Sequence, residues 1–232
     1  MNVLVTGANR GIGFGFVQEY VKRGAHVFAA CRKPEQADKL KELQTAHRNQ
    51  VIIVPLDVTD QAQINHCSSL VSQHATSLDR VINNAGILRP VESFRDISTV
   101  DLIESFAVNA VAPLRIIQHF EGLLAAGSTP RLINITGPTP SITNLPRRNN
   151  HIYLASRYPH NALTKLVAWE LIEKGIVTIA LWPGFLRTDM NHLHPEATPP
   201  EEGIPLAVNV IESLTTAHNG SCLLPDGSSY EW

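Results

Sequence analysis

Apolar residues follow two alternating patterns along the chain. Short runs rich in Val, Ile and Leu alternate little with polar residues, which is typical of strands buried on both faces of a sheet. Between these runs, apolar residues recur at helical spacing, as Ile12, Phe16 and Tyr20 do. The patterns predict strands at about 2–6, 26–30, 51–56, 80–83, 131–136 and 177–182, helices at about 11–23, 35–45, 61–76, 100–126, 151–174 and 201–215, and a short apolar run at 221–224.

Strand–helix alternation repeated this often predicts an α/β protein with a doubly wound parallel β-sheet in a three-layer α/β/α arrangement. The 232 residues fit a single domain with a sizeable core, so one domain is expected over 1–232. Two irregular stretches, 137–150 and 183–200, follow the C-terminal ends of predicted strands. Ligands bind at those ends in open α/β sheets, so we expect the site there.

A glycine-rich segment stands between the first predicted strand and the first helix. A helix N-terminus offers unpaired N–H groups and the positive end of a dipole, and glycines let the backbone approach a pyrophosphate closely. This context favours a dinucleotide site over the alternative, a plain turn with helix-packing glycines. The residues expected to line it are Gly7, Asn9, Arg10, Gly11, Ile12 and Gly13.

The residues after the second strand favour NADP(H) over NAD(H). An NAD site places a carboxylate there to hold the ribose 2′-hydroxyl, but no acidic residue occurs between positions 21 and 34. Arg32 stands there instead, and a guanidinium suits a 2′-phosphate, with Arg10 able to add a second positive charge. The alternative interpretation is that Arg32 and Lys33 are simply a solvated surface pair.

Composition argues against several other classes of function. The net charge of −2 provides no basic field for nucleic acid, and no apolar run is long enough to span a membrane. The three cysteines form no CxxC pair, and His192 and His194 lack a third ligand cluster, so we expect no metal site. The first predicted strand begins at residue 2, so we expect no targeting segment and a cytoplasmic location.

Several motifs together resemble the short-chain dehydrogenase/reductase family across nearly the whole chain. They are the glycine loop at 6–13, Leu56-Asp57-Val58, Asn83-Asn84-Ala85-Gly86, Asn109, Tyr153, and Pro183-Gly184 followed by Thr188. The ending from Asp226-Gly227 to Trp232 is similar to the C-factor/sniffer branch of small carbonyl reductases. The resemblance implies a Rossmann-type fold, homo-oligomers formed through the helices at 100–126 and 151–174, and cofactor contacts from Asp57, Val58, Asn84, Ala85, Gly86, Pro183, Gly184 and Thr188.

The resemblance also implies a catalytic group. In the family, a tyrosine exchanges a proton with the substrate oxygen while a hydride moves between nicotinamide and carbonyl carbon. A lysine four residues later supports the tyrosine and holds the ribose, and an asparagine anchors a relay water. In this chain Tyr153 is the tyrosine and Asn109 the asparagine, but Arg157 stands in place of the lysine. Arginine keeps the charge at that position but does not titrate, so it serves a proton relay less well.

The family's carbonyl-orienting serine is the second departure. Its position corresponds to Gly137, which has no hydroxyl. A substitute hydroxyl could come from Thr136, Thr139 or Ser141, and the sequence does not choose among them. By analogy with an oxyanion-hole donor, losing this group lowers the rate by about two to three orders of magnitude.

Three functions follow as hypotheses. The first is an NADP(H)-dependent oxidoreductase of modest rate that acts on a small carbonyl or alcohol. The second is a catalytically degenerate NADP(H)-binding sensor or interaction protein, motivated by the altered serine and lysine positions. The third is a lyase of the halohydrin dehalogenase type, because those enzymes also carry arginine at the lysine position. They keep the serine and lose the glycine loop, however, and this chain does the opposite.

Overall fold

Eight strands form one sheet in a computed structural model of the chain, which describes residues 1–91, 93–138, 141–142 and 150–232. The strands are β1 (Asn2–Thr6), β2 (His26–Cys31), β3 (Val51–Pro55), β4 (Arg80–Asn83), β5 (Arg131–Ile135), β6 (Val177–Leu181), β7 (Cys222–Leu223) and β8 (Ser229–Tyr230). Their spatial order is β3-β2-β1-β4-β5-β6-β7-β8. The chain therefore winds outward from β1, returns to β4 beside it, and winds outward again.

The predicted doubly wound parallel sheet is confirmed, with one addition. Neighbouring strands from β3 to β7 are parallel, whereas β8 pairs antiparallel with β7 at the edge. The sequence pattern did not predict β8, because a two-residue strand of Ser229 and Tyr230 has no apolar run to mark it. This edge strand lies at the opposite end of the sheet from β3.

Seven α-helices connect the strands among the described residues. They are α1 (Gly11–Lys22), α2 (Asp38–Ala46), α3 (Gln61–His74), α4 (Thr99–Phe106), α5 (Ala112–Ala125), α6 (His151–Leu171) and α7 (Pro200–Ser213). The prediction of a single helix at 100–126 is corrected, because a π-helical segment, Ala107–Val111, separates α4 from α5. Such segments are rare in proteins, but many of those that occur lie at functional sites.

Helices cover both faces of the sheet, which confirms the three-layer arrangement. One hydrophobic cluster joins α1, α2 and α7 to one face, with Phe16, Leu40 and Ile211 fully buried in it. A second cluster joins α3 and α5 to the other face, where Ile64 and Phe120 are buried. The strands β1, β4, β5 and β6 are almost wholly buried on both faces, as their uninterrupted apolar runs predicted.

A partly buried ionic network holds α7 at the N-terminal ends of the strands. Arg80, at the start of β4, donates to both carboxylate oxygens of Glu212 at 3.0 and 2.6 Å, and the Tyr20 hydroxyl donates to the same carboxylate at 3.0 Å. Burial raises the pKa of Glu212, but its hydrogen bond to Arg80 and the charge of Arg80 outweigh burial, and the net pKa is lowered. The network lies at the N-terminal ends of the strands, and the expected ligand site lies at their C-terminal ends. The network therefore stabilises the scaffold without occupying that site.

Apolar side chains remain exposed on α4 and α6. Val100 and Ile103 on α4 are exposed, as are Leu166 and Trp169 on α6. These helices belong to the two stretches through which the family resemblance implies homo-oligomers, and the oligomeric state stays a prediction. In the part of the chain that the structure describes, no helix combines the length and the apolar character needed to cross a membrane.

Candidate active site

The loops that follow the strands at their C-terminal ends enclose a cleft of about 250 Å³. It lies where the chain direction reverses between β1 and β4, the point at which open α/β sheets bind ligands. Most of the predicted cofactor residues line it, namely Gly7, Asn9, Arg10, Gly11, Ile12, Arg32, Asp57, Val58, Asn84, Ala85, Gly86 and Thr188. Three do not: Gly13, Pro183 and Gly184.

The glycine loop is packed too tightly for side chains. Gly7 has a φ of +65°, and a Cβ there would lie 2.9 Å from the Cα of Ala85. A Cβ on Gly13 would collide with the carbonyl oxygen of Gly7 and lie 2.5 Å from the amide nitrogen of Asn84. Gly13 therefore packs against the inner side of the loop and is not among the lining residues, and its contact with a cofactor stays a prediction.

Hydrogen bonds lock the loop after β1 to the loop after β4. The Thr6 hydroxyl accepts from the backbone N–H groups of Asn84 and Ala85 at 3.0 and 3.1 Å. The Asn84 amide donates in return to the carbonyl oxygens of Thr6 at 2.9 Å and Gly7 at 3.2 Å. The two loops that form the floor of the cleft are thus held as one unit.

Pro183 and Gly184 precede the lining residues in the segment after β6, and their predicted contact with a cofactor stays a prediction. Pro183 is buried, and Gly184 has a φ of +95° with Pro225 packed beside it, 3.3 Å from where a Cβ would be. The same segment contributes Thr188, Asp189 and Met190 to the cleft. Pro183 and Gly184 thus form the turn that leads to the lining residues.

The N-terminus of α1 opens into the cleft. Arg10 precedes the helix, no side-chain hydrogen bond caps its N-terminus, and the first turn carries no acidic residue. The free N–H groups and the helix dipole therefore favour an anion at this point. Arg10 itself forms an exposed ion pair with Asp189 at 3.1 Å, which links the glycine loop to the segment after β6.

Arg32 lies at the end of β2, where a second anionic group would be recognised. Its side chain is exposed and lines the cleft together with Asp57 and Val58. Asp57 is engaged by Thr59, whose N–H and hydroxyl donate to it at 2.9 and 2.7 Å. Within the described residues Arg32 has no hydrogen bond or ion pair, so its guanidinium is available to a ligand.

Tyr153 lies in the first turn of α6, half-buried at the cleft, and Gly137 faces it. A Cβ on Gly137 would lie 3.3 Å from the phenol oxygen and 3.4 Å from Cε1. The position that lacks a hydroxyl is thus the one beside the phenol. Thr136 also lines the cleft, but its hydroxyl donates to the Asn161 side chain at 2.7 Å. Ser141 is buried and does not line the cleft.

The remaining candidate hydroxyl, that of Thr139, lies outside the described residues. Of the two candidates that the structure describes, Thr136 lines the cleft and Ser141 does not, and the Thr136 hydroxyl donates to Asn161 in α6.

The Arg157 guanidinium stacks on the Tyr153 ring. Its central carbon lies 4.8 Å from the ring centroid, a distance typical of a cation–π contact. One terminal nitrogen, Nη1, donates to the Ile135 carbonyl at 3.1 Å and to Nδ1 of His160 at 3.0 Å. The other, Nη2, would lie 2.8 Å from a Cβ on Gly86. The buried Arg157 side chain thus fills the space between Tyr153, β5 and the loop after β4.

Asn109 sits in the π-helical segment and does not line the cleft. Its side chain accepts from the Ile87 N–H at 2.8 Å and donates to the Ile87 carbonyl at 2.9 Å. It also donates to the Ser156 hydroxyl at 2.9 Å, and that hydroxyl donates to the Tyr153 carbonyl at 2.7 Å. Asn109 therefore braces the loop after β4 against the turn that carries Tyr153.

Comparison with known proteins decides the family. The sequence model of the family described as short chain dehydrogenase matches residues 1–198. This chain belongs to the short-chain dehydrogenase/reductase family. As a short-chain dehydrogenase it is an oxidoreductase, and the family suggested by the sequence motifs is confirmed.

Individual relatives match over nearly their full length. An NADPH-bound carbonyl reductase from chicken fatty liver is 32% identical, with a TM-score of 0.94 over 100% of this chain and 98% of that one. An uncharacterized oxidoreductase of Schizosaccharomyces pombe is 28% identical over 97% of this chain and 95% of its own. The carbonyl reductase Sniffer of Drosophila melanogaster, 24% identical, shares the fold with a TM-score of 0.93 over 100% of this chain and 99% of that one.

Several residues at the site of this short-chain dehydrogenase were not predicted from the sequence. The lining residues that were not predicted as site residues are Leu56, Ile87, Glu104, Val108, Ile135, Asp189 and Met190. Glu104 reaches the cleft from α4 and is held by Arg89 at 2.7 Å. His160, which contacts Arg157, was also missed, although its spacing of three residues on a helix was a readable signal.

Proposed function

We propose that this short-chain dehydrogenase is an NADP(H)-dependent reductase of small carbonyl compounds, with Tyr153 as the acid/base. The observation that carries the proposal is the Tyr153 hydroxyl at the cleft, with the Arg157 cation stacked on its ring. Bound NADPH would supply the hydride. Tyr153 would give its proton to the carbonyl oxygen as that oxygen gains negative charge, and would take a proton back in the reverse direction.

The residues at the cleft suit a dinucleotide. The tight packing at Gly7 and Gly13 holds the glycine loop against the loop after β4, and the uncapped N-terminus of α1 would attract the charge of a pyrophosphate. Arg32, available at the other end, supports a 2′-phosphate and thus NADP(H) over NAD(H). The chicken relative, which was crystallised with NADPH, supports the same assignment.

Arg157 would carry out two tasks of the family's lysine. Its positive charge beside the Tyr153 ring stabilises the phenolate that forms when the proton leaves. Its Nη2, beside Gly86 in the cleft wall, faces the region where the cofactor's ribose is expected. An arginine does not pass a proton onward, so Tyr153 would be reprotonated from solvent.

Gly137 limits the expected rate. Without a hydroxyl beside the phenol, the carbonyl oxygen receives one hydrogen bond fewer from the protein in the transition state. A single missing donor of this kind costs about two to three orders of magnitude in rate. We therefore expect turnover that is slow but measurable.

The direct test is NADPH oxidation by the purified protein with a panel of aldehydes, ketones and quinones. We expect at least one carbonyl to be reduced at a rate above the protein-free background, and more efficiently with NADPH than with NADH. Binding of NADPH is measured in parallel by fluorescence titration. Binding without turnover across the whole panel would contradict the reductase proposal.

Cofactor choice is tested by Arg32→Ala. Loss of a charge-assisted contact to the 2′-phosphate should raise the dissociation constant of NADPH about tenfold, and leave that of NADH within about twofold. Lys33→Ala is the matched control, because Lys33 is adjacent but does not line the cleft, and both constants should stay within about twofold. Equal weakening of NADPH and NADH by Arg32→Ala would show that Arg32 does not read the phosphate.

A second candidate function is an NADP(H)-binding sensor without turnover. The observations that favour it are the missing hydroxyl at Gly137 and the engagement of the Thr136 hydroxyl by Asn161. It differs from the reductase proposal in one measurable result, which is NADPH binding with no oxidation of NADPH. The lyase hypothesis has less support, because the halohydrin dehalogenases lose the glycine loop and this chain keeps it.

A further inference from the structure

A histidine is buried directly behind the catalytic arginine. His160 lies three residues after Arg157 in α6 and is 1% exposed. Its Nδ1 is 3.0 Å from Nη1 of Arg157. A guanidinium can only donate hydrogen bonds, so Nδ1 is the acceptor and the ring proton is on Nε2. The contact therefore fixes both the tautomer and the orientation of the imidazole.

The surroundings of His160 keep the ring neutral. Burial, followed by the charge of Arg157, lowers its pKa well below the usual range. Nε2 has no hydrogen-bond partner among the described residues, and burying that N–H carries a desolvation penalty. An apolar residue at this position would avoid the penalty. The feature of His160 that such a residue could not reproduce is the acceptor at Nδ1.

The acceptor Nδ1 of His160 binds the Arg157 guanidinium, which lies over the Tyr153 ring. Arg157 is held at Nη1 by two acceptors, the Ile135 carbonyl and His160, while its Nε has no partner among the described residues. With one acceptor alone, the guanidinium plane can rotate about its single hydrogen bond. With two, the plane is fixed over the Tyr153 ring, and Nη2 is directed to the cleft wall at Gly86.

We propose that His160 is a positioning residue, which holds the Arg157 guanidinium stacked on Tyr153 and directs Nη2 toward the bound cofactor. The inference rests on the proposed function for the role of Arg157. It also makes His160 and Arg157 a functional pair: the histidine matters only while an arginine stands at 157, because a lysine has no planar fork that needs orienting.

The pairing is tested by a double-mutant cycle. His160→Leu removes the acceptor with similar volume, and His160→Asn keeps an acceptor close to the Nδ1 position. Arg157→Lys is made alone and together with His160→Leu. The dissociation constant of NADPH is measured for all variants, along with kcat and KM for a carbonyl substrate.

We expect His160→Leu to weaken NADPH binding about fivefold and to lower kcat about tenfold, with the KM of the carbonyl unchanged. His160→Asn should recover most of both losses. In the Arg157→Lys background, His160→Leu should change either quantity by less than about twofold, because double-mutant cycles report coupling between contacting residues. A loss of the same size in both backgrounds, or an Asn variant as impaired as the Leu variant, would overturn the proposal.

Two measurements keep this test separate from the reductase proposal. The NADPH dissociation constants complete the cycle even if the protein reduces no carbonyl. The ¹⁵N signals of the His160 imidazole in the natural protein test the geometry without any variant or cofactor. They should show a neutral ring with its proton on Nε2, whereas a proton on Nδ1 would exclude the hydrogen bond from Arg157.

Discussion

Replacing Tyr153 with phenylalanine is expected to lower kcat/KM for NADPH-dependent carbonyl reduction by about two to four orders of magnitude. The substitution removes the proposed proton donor and leaves the ring over which the Arg157 guanidinium lies, so the geometry of the cleft is kept. NADPH binding should therefore change by less than about twofold. Steady-state NADPH oxidation gives the first quantity and fluorescence titration gives the second.

Tyr158→Phe is the matched control for this variant. Tyr158 lies on the same helix five residues later and does not line the cleft, so kcat/KM should stay within about threefold of the natural value. If Tyr153→Phe retained the natural rate, the proton would come from another group, and Thr136 would be the next candidate. Equal losses in both variants would indicate damage to α6 and not removal of an acid.

Most of the scaffold was predictable because its signals are local. A strand buried on both faces reads as an uninterrupted apolar run, and six such runs separated by helical patterns leave few topologies besides the doubly wound sheet. The glycine loop was predictable for the same reason, since a close backbone approach excludes side chains at Gly7 and Gly13. The position of the cleft could be predicted from the C-terminal ends of the strands alone, without knowledge of side-chain geometry.

The contacts that could not be predicted join distant parts of the chain. The Asn109 amide is bonded to Ile87 and Ser156, and only the fold brings those two groups together, while its predicted role in holding a relay water stays a prediction. The π-helical segment that carries Asn109 has no signature that separates it from an ordinary helix. Gly13 is part of the glycine motif, but whether it contacts a ligand or shapes the loop depends on what lies behind it.

The two altered catalytic positions also differ in how far the sequence explains them. Arg157 could be paired with Tyr153 from helical spacing alone, and the structure places its guanidinium on the ring. The choice among substitute hydroxyls could not be made, because it depends on the path of the chain after β5. The structure places Thr136 at the cleft, but the Thr136 hydroxyl donates its hydrogen to Asn161.

Gly137→Ser is expected to raise kcat for carbonyl reduction about tenfold to a hundredfold. The new hydroxyl would stand beside the Tyr153 phenol and add a hydrogen-bond donor for the developing charge on the carbonyl oxygen. The Cβ would come within 3.3 Å of the phenol oxygen, so the half-buried Tyr153 side chain must move by a few tenths of an ångström. Steady-state kinetics with the best carbonyl substrate measures the gain.

Gly137→Ala separates the two consequences of that substitution. It introduces the same crowding beside Tyr153 without the hydroxyl, so its kcat should be equal to or lower than the natural value. A serine variant faster than both the natural protein and the alanine variant would assign the gain to the hydroxyl. If the serine and alanine variants behaved alike, the limit on the rate would lie elsewhere, and the arginine at 157 would be the position to change next. A gain with serine would in turn show that the cofactor cleft, Tyr153 and Arg157 are already competent, since one hydroxyl cannot create a reductase from a site that lacks the other parts.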